Sequence, residues 1–108
     1  VKRGDLITVA LSGDYGKPRP ALVIQSDFLN EIDSVLVCLL TTTQRDAPFY
    51  RYPVPPGAET GLRKASQVMV DKIIAVRRDR CGERIGGLDS ASLLAIGRLL
   101  AFVVGIAD

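Results

Sequence analysis

The chain has 108 residues, 47% of them hydrophobic, with 14 Lys/Arg against 12 Asp/Glu for a formal net charge of +2. That length and apolar content suit one domain, residues 1–108, around a modest core. The charge is too small to hold a polyanion by bulk electrostatics, so any such site must come from local clustering. With no histidine and only two cysteines, imidazole bases, Ser-His-Asp triads and the usual zinc sets are excluded.

Asp5 to Leu11 reads as a first strand through Leu6-Ile7-Thr8-Val9. Ser12 to Pro20 reads as a polar loop punctuated by Gly13, Gly16, Pro18 and Pro20. Ala21 to Gln25 is a second strand, its unbroken apolar run implying burial on both faces. After a loop or short helical turn over Asp27–Ser34, Val35 to Leu40 forms a third buried strand that runs into Thr41-Thr42-Thr43. Phe49 to Val54 reads as an edge strand stopped by Pro55-Pro56-Gly57, with Phe49 expected in the core. Ser66–Val70 and Ile73–Val76 read as two further strands separated by Asp71-Lys72, and Arg77–Gly87 holds room for one more. Asp89 is placed to cap a C-terminal helix whose stripe is Leu93, Leu94, Ile96, Leu99, Leu100 and Val103, with Gly105 at its end. Short strands around one core favour a small, barrel-like antiparallel sheet, because closure removes exposed edges.

Cys38 lies inside an apolar run, where a thiol acts as a small hydrophobe, and Cys81 lies in a polar stretch. Two such cysteines make no disulfide framework. No secretory pattern precedes the first strand, and Arg98 interrupts the C-terminal apolar segment, leaving a run too short to span a bilayer. The expectation is a cytoplasmic, reduced protein without membrane insertion.

The run Gly16-Lys17-Pro18-Arg19-Pro20-Ala21-Leu22-Val23-Ile24-Gln25 carries the most chemistry. Proline fixes its own φ and biases the preceding residue toward extended backbone, so the backbone carrying Arg19 has little freedom. A positioned guanidinium is a rigid donor fork suited to phosphate. The basic cluster Arg77, Arg78, Arg80 and Arg84 is ordinarily a solvated surface, and alternatively a phosphate-backbone contact. Carboxylates are scattered, so no metal site and no cofactor is indicated.

Lys2-Arg3-Gly4-Asp5 before a strand, the Arg19-Pro20 block, and a buried strand ending in Thr41 together resemble the MazF/PemK (Kid) family of toxin endoribonucleases. Gly61-Leu62-Arg63, Val70-Asp71-Lys72-Ile73 and the terminal helix extend the resemblance over nearly the whole chain. The resemblance implies an SH3-like barrel of the CcdB/MazF type with a C-terminal helix, a homodimer, and metal-independent cleavage of single-stranded RNA at short sequence motifs. It also implies a cognate antitoxin whose acidic, flexible tail covers the RNA site. Arg19 matches the catalytic arginine, Thr41 the strand-end hydroxyl, and Asp71 an acidic residue used by some members. Met69 stands where those members can carry another arginine, which shifts weight from Asp71 to Arg19 and Thr41.

RNA is cut without a metal when its own 2′-hydroxyl attacks the adjacent phosphate, leaving a 2′,3′-cyclic phosphate and a 5′-hydroxyl. The protein must align the attack and stabilise charge growing on the phosphoryl oxygens, a role that suits Arg19. Lys17, Gln44, Arg45 and Arg51 are candidate RNA contacts, and Tyr50 and Tyr15 offer faces on which unpaired bases stack. Two other readings stay open: a non-enzymatic, gyrase-binding toxin like CcdB, and a small module that binds RNA without cutting it.

Overall fold

The computed structural model of the chain describes residues 1–13 and 17–107. Its strands are β1 (Asp5–Ala10), β2 (Pro18–Val23), β3 (Ser34–Thr41), β4 (Arg51–Val54), β5 (Ser66–Arg77) and β6 (Cys81–Gly87). They form one six-stranded sheet in the order β4-β5-β3-β2-β1-β6, every neighbouring pair antiparallel. The helix α1 (Ser90–Val103) follows, and short 3-10 turns occupy Asp27–Leu29 and Arg78–Arg80.

The central strands are aliphatic at both parities, so both faces of the sheet bury side chains. On one face Leu6, Leu22, Cys38, Leu40, Val54, Val68 and Val70 pack with Ile96 of α1. Ile7, Val9, Ala21, Val23, Val35, Val37 and Val76 make the second cluster. Burial pushes the Cys38 thiol up to about 12, with the nearby Asp71 charge adding to the rise, so it is an inert part of the core. Asp89 caps α1 by accepting from the Ser92 amide at 2.7 Å, and Gly105 turns the chain away at φ +80°, both as the sequence predicts. No helix among the described residues is long and apolar enough to cross a membrane.

The expected closed barrel is not formed: the sheet is open, with β4 and β6 as its edges. β4 has only four residues, carries Pro53 and runs into Pro55-Pro56. Proline has no N–H to give a second neighbour, which confines such a strand to an edge. The turn at residues 57–62 approaches β6 instead, through a 2.9 Å backbone bond from the Gly87 amide to Glu59 O. The β6 edge is thus covered by a loop rather than paired with a strand.

Four further expectations are corrected. β5 is one strand of 12 residues, not two. Cys38 pairs with Ile73 and Leu40 with Val68, so two steps along β3 match five along β5. The odd surplus is a bulge that turns the strand over: Val68 and Val70 serve one cluster, Ile74 and Val76 the other. β2 begins at Pro18, because Pro18, Arg19 and Pro20 pair with Ala10, Val9 and Thr8 of β1. Phe49 is 65% exposed rather than in the core, its ring 5.5 Å from that of Phe102; it precedes β4 and escapes the strand's alternation. Leu94 is likewise exposed on the outer side of α1.

Asp5 ties β1 to β6 and the N-terminus. It accepts from Arg84 Nε at 2.9 Å and from the Lys2 amide at 2.8 Å. Burial alone would raise its pKa, but the Lys2 amide and the Arg84 guanidinium together hold it below the usual carboxylate value. A depressed folded-state pKa contributes stability that is complete above the unfolded value of about 3.9 and is lost as pH falls through the folded value. Asp5→Asn is therefore less stable than the parent chain in urea at pH 6, and the gap closes on acidification below about pH 4. A gap independent of pH would remove this assignment.

Candidate active site

The two prolines flanking Arg19 shape the sheet as well as the backbone that carries it. Proline joins a ladder only on the side that asks for no N–H. Residues 18–20 accordingly pair with β1, while the β2–β3 ladder stops at Ala21–Leu39. Beyond that stop the start of β2 and the end of β3 border a depression of about 270 Å³. Its lining is Arg19, Pro20, Leu40, Thr41, Thr42, Thr43 and Ser66.

Side chains alternate along strands, so two residues beyond the Ala21–Leu39 pair, Arg19 and Thr41 belong to the same face as that pair. Arg19 is exposed and Thr41 half-buried. Thr41 Oγ1 accepts from the Thr43 amide at 3.1 Å, which fixes the oxygen and leaves its O–H proton to be donated. Among the described residues the lining offers one guanidinium, four hydroxyls and no carboxylate. Such a set takes an anion and suits a phosphate diester.

The loop after Thr41 is held from below. Arg51 and Gln67 are 9% and 8% exposed. Arg51 Nη1 donates to Thr43 O at 3.1 Å and to Gln67 Oε1 at 2.8 Å. Gln67 Oε1 also accepts from the Arg45 amide at 3.2 Å, and Gln67 Nε2 donates to Arg45 O at 3.1 Å. Arg51 is thus placed inside the protein, not on a rim where RNA would meet it. Gln44 is exposed, its Nε2 donating to Ala65 O at 3.3 Å and to Thr42 O at 3.4 Å. Arg45 and Lys17 are exposed, on the loop after β3 and just before β2. Tyr50 is half-buried, and its carbonyl accepts from the Val70 amide at 2.9 Å; Tyr15 lies outside the described residues.

Asp71 does not border the depression. It is exposed within β5, in the surplus segment between Val68 and Ile73 rather than in a turn between two strands. Met69, half-buried, pairs with Arg51 across β4 and β5. No local sequence pattern marks Ser66 or the Gln67 clamp. β5 reaches the site through the Thr41–Gln67 pairing, a contact between distant residues that leaves no local pattern.

A roomier depression of about 540 Å³ is bordered by Asp33, Arg77, Arg78 and Asp79. Its cations are already engaged: Arg77 bonds Asp79 at 2.6 Å, and Arg78 donates to Leu29 O at 3.2 Å. Arg84 is paired with Asp5. The basic cluster seen in the sequence therefore spends much of its charge within the fold. No group of three or more His, Cys, Asp or Glu side chains able to hold a metal occurs among the described residues.

Comparison with known proteins gives a consistent result. Residues 2–104 match the family described as PemK-like, MazF-like toxin of type II toxin-antitoxin system. A probable endoribonuclease MazF of Mycolicibacterium smegmatis is 40% identical over 108 residues, covering 99% of each chain. An endoribonuclease from a mycobacterial species, solved in complex with its cognate antitoxin, superposes with a TM-score of 0.82 at 25% identity, over 100% of this chain and 98% of that one. The MazE–MazF structure from Deinococcus radiodurans shares the fold, with a TM-score of 0.80 at 21% identity over 99% and 97% of the two chains.

Proposed function

We propose, on the premise that this chain belongs to the PemK-like, MazF-like family of toxin endoribonucleases, that it cleaves RNA in the depression between the start of β2 and the end of β3. Membership makes the chain a sequence-specific, metal-independent RNA-cleaving toxin and sets aside the gyrase-binding and non-cleaving readings. The observation that supports the location is the joint presence of Arg19 and Thr41 in one lining.

The substrate is single-stranded RNA with its scissile phosphate between these two side chains. The 2′-oxygen loses its proton and attacks phosphorus, the bond to O5′ breaks, and the departing O5′ takes up a proton. Arg19 neutralises the charge that grows on the phosphoryl oxygens, where preorganised donors act most strongly. Thr41 donates its hydroxyl proton to the same phosphate. Lys17, Gln44 and Arg45 flank this position from two loops and contact neighbouring nucleotides. Asp71 takes no part in this assignment, since it lies outside the lining.

The mycobacterial relative solved with its cognate antitoxin supports an antitoxin partner for this chain. The cation and hydroxyls of the cleft suit the acidic tail of such a partner, which would compete with RNA for them. A homodimer is proposed on the same family ground.

Incubation of the purified protein with long single-stranded RNA in EDTA tests the assignment. Cleavage is expected, with 5′-hydroxyl ends that accept phosphate from a kinase without prior dephosphorylation. Thr41→Val, which keeps the shape and removes the hydroxyl, is expected to cut about 10²-fold more slowly. Intact RNA would end the proposal, and an unchanged rate in the valine variant would remove Thr41 from it.

A further inference from the structure

We propose that Arg51 and Gln67 are positioning residues for RNA cleavage, setting the Thr41 hydroxyl and lending fixed positive charge to the phosphate above them. The inference rests on the placement of the reaction in the Arg19–Thr41 depression. Its first support is a chain of bonds. Arg51 holds the Thr43 carbonyl, and the Thr43 amide in turn donates to Thr41 Oγ1. Gln67 holds both backbone groups of Arg45, so the loop is fixed on either side of Gln44. The placement of the Thr41 hydroxyl oxygen is therefore supported by two side chains, Arg51 and Gln67, neither of which lines the depression.

The second support is the charge itself. No carboxylate forms an ion pair with Arg51 among the described residues, and its Nε is buried without a hydrogen-bond partner. A buried guanidinium met only by a carbonyl and an amide oxygen is a poor way to stabilise a fold, because apolar replacements of similar volume are often neutral or better. An uncompensated cation does fit a place beside a bound anion. A phosphate diester gains negative charge as the 2′-oxygen attacks, so a fixed cation acts more on the transition state than on bound RNA. Deviations from ordinary core chemistry are expected at functional sites.

The test uses the full chain and an RNA oligonucleotide spanning a mapped cut, with kcat and KM measured well below the unfolding temperature. Binding is measured with the same oligonucleotide carrying 2′-deoxyribose at the attacking position. Arg51→Met is expected to lower kcat about 10²-fold, with KM and the affinity for the deoxy probe changed less than about threefold. Arg51→Lys, which keeps the charge but not the planar fork, is expected to recover part of the loss. Gln67→Leu gives a similar loss, and the double variant is less impaired than the product of the singles, because both belong to one clamp. A merely structural clamp would lower the unfolding temperature and leave kcat per folded molecule intact. An Arg51→Met kcat within about threefold of the parent would overturn the proposal; where that variant fails to fold, Gln67→Leu supplies the same readout. Arg19→Ala separates the two levels. Full activity in Arg19→Ala removes the site assignment, whereas an inactive Arg19→Ala beside an active Arg51→Met removes the clamp alone.

Discussion

Arg19→Ala is expected to slow RNA cleavage about 10³-fold while leaving the protein folded. The residue is exposed, so truncation opens no cavity and the sheet has no packing reason to give way. Its work is electrostatic, and the backbone that carries it is already held extended by the prolines on either side. Arg19→Lys tests the fork separately from the charge. It should restore only a minor part of the rate, because an ammonium offers a point charge and not two parallel donors. Single-turnover cleavage in EDTA, with circular dichroism as the check on folding, measures both. A rate for Arg19→Ala within about threefold of the parent would show that the phosphate is held elsewhere.

Gly61→Ala is expected to destabilise the fold by about 3–5 kcal/mol. Gly61 has φ +71°, and a Cβ there would sit 1.9 Å from Ile85 O and 2.7 Å from Ile85 C. The obstacle is backbone of β6, which no rotamer change can clear. The left-handed conformation alone costs about 1–2 kcal/mol for a residue with a Cβ. The rest comes from pushing residues 57–62 off β6, which strains the Gly87–Glu59 bond across the open side of the sheet. Gly105→Ala is the control: φ is +80° and nothing lies within 4 Å of its added Cβ, so only the conformational cost applies. Urea unfolding of the two variants isolates the contact. Equal losses would show that the turn is not wedged against β6.

The same two regions show where local pattern carries information and where it stops. The Arg19-Pro20 block announced a guanidinium on constrained backbone, because the restriction is covalent and belongs to the ring. It did not announce that the prolines would be strand residues, or that their missing donors would end the β2–β3 ladder and border a cleft. That consequence needed the partner strands. Three consecutive threonines, Thr41 to Thr43, stand at the end of β3, and the Thr43 amide bonded to Thr41 Oγ1 gives Thr41 the defined geometry. Arg51 read as a surface contact because arginine is seldom buried, and only the pairing of β4 with β5 places Gln67 within its reach. Asp71-Lys72 read as a break because two polar residues interrupt two apolar runs. In the fold that interruption is a bulge, set by a three-residue mismatch with β3.

Strand identity, the cap and end of α1, the buried thiol and the family all followed from the order of residues, since each depends on neighbours within a few positions. Closure of the sheet, the continuity of β5, the exposure of Phe49 and the clamp beneath Thr43 were decided by tertiary structure. Each depends on which distant backbone lies alongside, and hydrogen-bond partners across a sheet are chosen by register and donor supply, quantities that no short stretch of chain contains.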